Sequence, residues 1–323
     1  MAKTIRIHAF GGPDVFKVED VDLPAPGPGE VRIRQRAVGL NFIDVYQRSG
    51  IYPNELPLIL GNEAAGDVVA VGAGVTEFAP GDRVAYGTAL GAYAEERNVP
   101  ARLLVHLPEA ISYEVGAVMM LKGLTAQYLL RQTFPVVPGN TILVHAAAGG
   151  VGQFLCQWGH ALGATVIGTA GSPEKCELAL SHGADHCIDY NKEDFAERVR
   201  EITDGKLCDV VYDAIGKATY PKSLDCIRPL GMFVSYGAAS GAIENFDIGL
   251  LARKGSLFAT RPTLFTYAAK REALVSMTED LTTAIESGAV RPEVSARYPL
   301  AEVAAAHRAL EARETTGSTI LVP

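Results

Sequence analysis

From Thr141 to Tyr236 short apolar segments alternate with helical ones, and this alternation restricts the fold more than anything else in the 323 residues. Ile142-Leu143-Val144-His145 reads as a buried strand. Glycines follow, then Val151, Phe154, Leu155, Trp158 and Leu162 at helical spacing. A strand is expected at Thr165–Thr169. Ser172-Pro173-Glu174-Lys175 opens the next helix, with serine as N-cap and proline at the first helical position, and Gly183 ends it. Cys187-Ile188-Asp189 is a strand, Phe195 to Ile202 a helix, and Asp209–Tyr212 and Met232–Tyr236 two more strands. Such alternation predicts a parallel sheet covered on both faces.

The flanks differ. The first 125 residues are β-rich: VRIRQRAVGL and GDVVAVGAGV are short and β-branched, punctuated by PAPGPGE and APGDR, and Gly81-Asp82 is a turn entering Arg83-Val84-Ala85-Tyr86. After about residue 260 the alternation stops. Helices are expected near Ala269–Ser287 and Ala301–Arg313, then a closing strand at Ser318–Val322. The simplest accounting returns this tail to the N-terminal β region. The expected class is therefore α/β: a β-rich domain of residues 1–125 plus 261–323, with a doubly wound parallel sheet at 126–260 inserted in it.

Charge and cysteine usage narrow the function. A net charge of −8 repels phosphate backbones, so no nucleic-acid partner is expected. No run of about 18 apolar residues appears, and MAKTIRIHAFGG lacks a signal-peptide core, so no membrane span and a cytoplasmic location are expected. The five cysteines, Cys156, Cys176, Cys187, Cys208 and Cys226, form no C-x-x-C pair and no disulfide framework.

The chemistry-bearing motif is His145-Ala146-Ala147-Ala148-Gly149-Gly150-Val151-Gly152 between strand and helix. In that context Gly149 and Gly150 let backbone approach a pyrophosphate, Gly152 lets helix and strand pack closely, and the helix N-terminus faces the anion. Ala147 stands where the first fingerprint glycine is usual. An NAD site carries an acidic residue at the end of the second strand; here that place reads Gly168-Thr169-Ala170-Gly171-Ser172. Ser172 and Lys175 offer a hydroxyl and a cation, and Tyr190 a further hydroxyl, which suits the extra phosphate of NADPH. Against this stands Ser172 as a plain N-cap and Lys175 as a solvated first-turn residue.

AAAGGVG, taken with GLNFIDVYQRSGIYP, GNEAAGDVVAVG, GDRVAY, LKGLTAQYLLR and VVYDAIG, resembles the zinc-free quinone oxidoreductase branch of the medium-chain dehydrogenase/reductases, related to zeta-crystallin, along essentially the whole chain. The resemblance implies a GroES-like catalytic domain, an inserted Rossmann domain and a homodimer joined through the cofactor domains. It implies that Asn41, Phe42, Ile43, Tyr46, Tyr52 and Thr125 line the nicotinamide and quinone cleft, with Tyr128 near the cofactor. Gly150 and Val151 would meet the pyrophosphate, with Gly149 and Gly152 shaping that turn; Gly171, Ser172, Lys175 and Tyr190 would hold the adenosine phosphate. Gly216, Tyr236, Gly237, Ala238 and Ser240 would follow the cofactor towards its nicotinamide, near Thr263 and Phe265. Many relatives carry a lysine near the C-terminus; here Ser318 stands in its place.

Zinc-holding members of the superfamily use an early Cys and the His of G-H-E, where this chain has Asn41 and Gly61-Asn62-Glu63. The first 125 residues hold no cysteine, and His8 and His106 stand alone, so no metal is expected. A quinone is electrophilic enough to need positioning more than a Lewis acid. The expected reaction is NADPH-dependent quinone reduction between the domains, with Tyr46 and Tyr52 bracketing the acceptor and Asn41 orienting it. Asp44 reads as a turn carboxylate ahead of a catalytic acid; Lys122 reads equally as a cleft residue or a partner of Glu63, and Arg261 as a similar cleft candidate. Two alternatives stay open: reduction of enone or 2-alkenal double bonds, and a crystallin-like structural or RNA-binding role.

Overall fold

A computed structural model describes residues 1–323. It divides into two compact units, residues 1–124, 268–279 and 292–323, and residues 125–267 and 280–291.

The first unit begins with β1 (Ala2–Ile7), β2 (Phe16–Val21), β3 (Glu30–Leu40), α1 (Phe42–Ser49), β4 (Leu58–Ile59), β5 (Glu63–Val71), β6 (Arg83–Tyr86), β7 (Glu96–Pro100), β8 (Val105–His106), α2 (Tyr113–Met119) and the start of α3 (Lys122–Tyr128). The second holds β9 (Thr141–Val144), α4 (Gly150–Ala161), β10 (Thr165–Ala170), α5 (Pro173–Ser181), β11 (His186–Asp189), α6 (Phe195–Ile202), β12 (Cys208–Asp213), β13 (Ile227–Ser235), α7 (Gly249–Arg253), β14 (Phe258–Thr260), α8 (Leu264–Tyr267) and the end of α9 (Arg271–Glu286). The chain closes with β15 (Val294–Pro299), α10 (Val303–Glu311) and β16 (Ser318–Val322).

In the first unit β15-β16-β3-β5-β6-β8 run in order, with β7 also on β3, beside a smaller sheet β2-β1-β4. β3 alternates buried Val31, Ile33 and Ala37 with outward Arg32, Arg34 and Arg36, the period-two pattern of a half-buried strand. The tail returns as expected, since β16 pairs antiparallel with β3, Ile320 opposite Gly39. Ile5, Ile33, Val68, Val84, Tyr93, Val303 and Leu321 share the core.

The second unit is one parallel sheet, β11-β10-β9-β12-β13-β14. This order reverses beside β9, and ligands bind outside the carboxyl ends of the strands at such a switch point. Leu143, Ile167, Val211 and Phe233 are buried in its central strands. The second unit extends to Tyr267 rather than to the expected 260 because Tyr267 stacks on Tyr128, ring centroids 4.5 Å apart. Residues 280–291 join it because Gln127 donates to Asp280 at 3.0 Å and the Arg291 N–H to Gln157 at 2.6 Å. No helix is long and apolar enough to cross a membrane.

Candidate active site

In the second unit the glycine turn follows β9 at the switch point. Gly149 caps α4 without a side-chain bond, so the first N–H groups of a twelve-residue helix face outward. Gly152 is obligatory: a Cβ there would lie 2.2 Å from the Ala146 carbonyl oxygen. The turn is tied down from beneath. His145 is buried, with Nδ1 2.9 Å from Thr169 Oγ1 and Nε2 3.0 Å from Ser223 Oγ. Ser223 donates to Asp213 Oδ2 at 3.0 Å, so its oxygen accepts from His145 Nε2–H and His145 Nδ1 accepts from Thr169. Burial holds this imidazole neutral by lowering its pKa.

At the end of β10, a Cβ on Gly171 would lie 2.5 Å from the Tyr190 hydroxyl, and Asn191 Nδ2 donates to the Gly171 carbonyl at 2.8 Å. Ser172 Oγ accepts from the Lys175 N–H at 3.3 Å, the N-cap role, and its hydroxyl also bonds Glu174, holding that exposed carboxyl below the usual range. The cap reading of Ser172 is thus realised.

The next loops are shaped by Asp213, which accepts from the Ile215 and Gly216 N–H groups at 2.7 and 3.0 Å and from Thr219 Oγ1 at 2.7 Å. Gly216 has φ +85°, and a Cβ on Gly237 would lie 2.5 Å from the Ala214 carbonyl oxygen. Ser240 Oγ donates to the Ile215 carbonyl at 2.8 Å and accepts from the Ala218 N–H, so it fastens this loop, next to Tyr236 and Ala238. Tyr128 is buried beneath Tyr267, Thr125 lies one turn earlier on α3, and Thr263 and Phe265 are exposed at α8.

In the first unit Asn41 caps α1 at the end of β3, and its amide donates to Glu63 Oε2 at 2.9 Å. Glu63 is fully buried and also receives the Leu121 N–H at 2.7 Å and Lys122 Nζ at 3.0 Å. Lys122 is therefore the ion-pair partner of Glu63. Phe42, Tyr46 and Tyr52 form a row, with centroids 5.3 and 5.2 Å apart, from half-buried through buried to exposed. Ile43 is half-buried on α1; Ser318 is buried at the start of β16.

Asp44 is not the turn carboxylate that the sequence suggested. It is fully buried and accepts from the Asn41 N–H at 2.9 Å, Asn62 Nδ2 at 2.9 Å and the Tyr93 hydroxyl at 2.8 Å. Burial raises its pKa to about 6 despite these three bonds. Tyr93 and His307, both missed in the sequence, are remote in the chain; only the N-cap-to-N3 spacing of Asn41 and Asp44 was a legible signal.

A Rossmann sheet with a phosphate-binding turn, together with a β unit carrying a polar site of amides, carboxylates and tyrosines, defines a medium-chain dehydrogenase/reductase. Residues 27–109 match the alcohol dehydrogenase GroES-like domain and residues 150–275 the zinc-binding dehydrogenase model. The quinone oxidoreductase of Pseudomonas aeruginosa is 55% identical over the full length of both chains. The 2-haloacrylate reductase of a Burkholderia species is 48% identical, covering all of this chain and 99% of that one. The crystal structure of Escherichia coli quinone oxidoreductase complexed with NADPH superposes with a TM-score of 0.98 at 45% identity over both full chains. The chain belongs to the quinone oxidoreductase family. The donor set does not fit the zinc of the wider class: neutral Asn41 and Asn62 occupy the region, and no three His, Cys, Asp or Glu side chains are grouped to hold a metal.

Proposed function

We propose that this protein reduces quinones with NADPH. The observations that carry the reading are the glycine turn between β9 and α4, with no side-chain cap, and the end of β10, where Gly171 and Ser172 stand in place of the carboxylate that would read an NAD ribose and Lys175 and Tyr190 lie alongside. When bound, NADPH supplies the hydride. The chain's own residues orient the partners. Gly149–Gly152 receive the pyrophosphate at the mouth of α4. Gly171, Ser172, Lys175 and Tyr190 hold the adenosine phosphate. Gly216, Tyr236, Gly237, Ala238 and Ser240, with Tyr128, Thr263 and Phe265, carry the contact on towards the nicotinamide. Asn41, Phe42, Ile43, Tyr46, Tyr52 and Thr125 hold the acceptor, with the two tyrosines as hydrogen-bond donors, and Ser318 takes the place of the relatives' lysine.

The test is NADPH oxidation with 1,4-benzoquinone, with NADH as control. Lys175→Met should lower the preference for NADPH by about tenfold, the value of one charge-assisted hydrogen bond. Equal turnover with NADH in the parent overturns the coenzyme assignment. Double-bond reduction is a second reading, favoured by the 48% identity to a 2-haloacrylate reductase; 2-chloroacrylate and 2-alkenals in the same assay separate the two. The unpaired cysteines suit the cytoplasm, whose thiol buffers keep them reduced. A homodimer joined through the cofactor domains is part of the same proposal; the edge strand β14, with Phe258 58% exposed, supports it, and sedimentation should find twice the chain mass.

A further inference from the structure

A chain of hydrogen bonds in the first unit, buried from Arg48 inward, runs from α10 to the start of α1, and its direction is fixed. Glu311 binds Arg48 through two bonds of 2.9 and 2.6 Å. Arg48 Nη1 stands 3.0 Å from His307 Nδ1, His307 Nε2 stands 2.9 Å from the Tyr93 oxygen, and Tyr93 donates to Asp44 Oδ2 at 2.8 Å. Arginine only donates. His307 Nδ1 must therefore accept, which places the ring proton on Nε2. Nε2–H then donates to Tyr93, and Tyr93 passes its own proton to Asp44. Phe16 packs edge-on to the imidazole at 4.8 Å and fixes its plane. Reversing the chain, with Asp44 protonated and donating to Tyr93, would set a His307 N–H against the arginine N–H.

We propose that Asp44 is a positioning residue for the reduction, kept anionic by the one-way chain Arg48–His307–Tyr93, so that it grips the Asn41 N–H and the Asn62 amide and fixes the start of α1. This rests on the reductase reading above, since α1 carries Asn41, Phe42 and Tyr46. An anion at the helix start is also favoured by the helix dipole. The charged and titratable groups around Asp44 are Arg48 on its own helix, Tyr93, Glu63 and Lys122 beyond Asn41, and His307 and Glu311 on α10. Burial keeps His307 neutral by lowering its pKa to about 3, and keeps Tyr93 protonated by raising its own.

Because His307 is uncharged, it can be replaced without changing the charge near Asp44. In His307→Gln the carbamoyl oxygen accepts from Arg48 and its N–H donates to Tyr93, which preserves the direction. In His307→Leu both bonds are lost. The pH profile of kcat/KM with NADPH and 1,4-benzoquinone should show an acid limb that His307→Gln keeps, and that His307→Leu moves up by about one pH unit, the value of one net hydrogen bond. The Asp44 carboxyl carbon, followed by NMR in aspartate-labelled protein and assigned with Asp44→Asn, should titrate in parallel. Equal limbs and equal titrations in the two variants would overturn the proposal. Should His307→Leu not fold, Arg48→Met replaces it. Its shift should then be at least halved in a Tyr93→Phe background, and an undiminished shift overturns the proposal. Should the parent reduce no quinone, the reductase reading fails, and the carboxyl titration still decides whether the chain holds Asp44 as an anion.

Discussion

Asp44 and Asp213 are both fully buried, both sit at the end of a regular element, and both organise a segment assigned to the site, yet they are built in opposite ways. Asp213 gathers donors two, three, six and ten residues ahead of it, so β12 and the loop after it carry nearly the whole arrangement. Asp44 takes one local donor, from Asn41, and two from 18 and 49 residues away, and its chain continues to a histidine 214 residues beyond Tyr93. A local network forms with its loop. A distant one forms only when four segments of the first unit have docked, and it can therefore be tuned from far off. The two histidines repeat the contrast: each is neutral with its proton on Nε2, but His145 answers to hydroxyls and His307 to an ion pair.

The largest effect expected from this comparison lies next to Asp44. Lys122→Met strands the buried Glu63 carboxylate and should cost about 3–5 kcal/mol in urea unfolding, with Glu63→Gln in the same chain recovering part of it. A loss under 1 kcal/mol would mean that the pair is not desolvated. Next, Asp213→Asn sets an amide N–H against converging donors and should cost about 2–3 kcal/mol. Asp44→Asn should cost less, because the fold already disfavours the charge there, while lowering kcat/KM. Equal losses would erase the distinction between the two aspartates.

A smaller effect appears in the pH dependence of stability. The pKa of Asp44 rises from 3.8 to about 6 on folding, so the stability it contributes is present below pH 3.8 and lost as pH rises through 6. That of His307 falls from 6.5 to about 3, so its contribution is present above pH 6.5 and lost as pH falls towards 3. Between pH 4 and 6 the two slopes, each at most about 1.4 kcal/mol per pH unit, oppose each other. His307→Gln leaves the Asp44 slope alone, so its stability relative to the parent should rise as pH falls through that window. A stability difference that does not change with pH would show that His307 is not shifted.

The contrast also explains what was legible in the chain. Ser172 as N-cap, Pro173 at the first helical position, Gly183 at φ +89° and the helix Phe195–Ile202 could be read because caps, fixed φ and 3.6-residue periodicity are properties of neighbours. The glycine turn and the β10 end without a carboxylate were legible for the same reason. So was the return of the tail, because Ser318–Val322 is an apolar strand with no partner nearby in sequence. Asp44, whose place in the sequence suggests a turn, and Tyr93 and His307, which carry no local pattern, mark the other side. Their burial and their proton positions follow from which segments meet.

What the sequence by itself determined is therefore the alternation that makes the parallel sheet, the glycine turn after β9 and the capped helix start after β10, all set by interactions within a few residues. The tertiary structure alone decided that Lys122 pairs with Glu63, that Ser240 fastens a loop, and that Asp44 is an anion at the end of a one-way chain. Burial and hydrogen-bond direction depend on partners from remote segments, and no local pattern encodes which of them will converge.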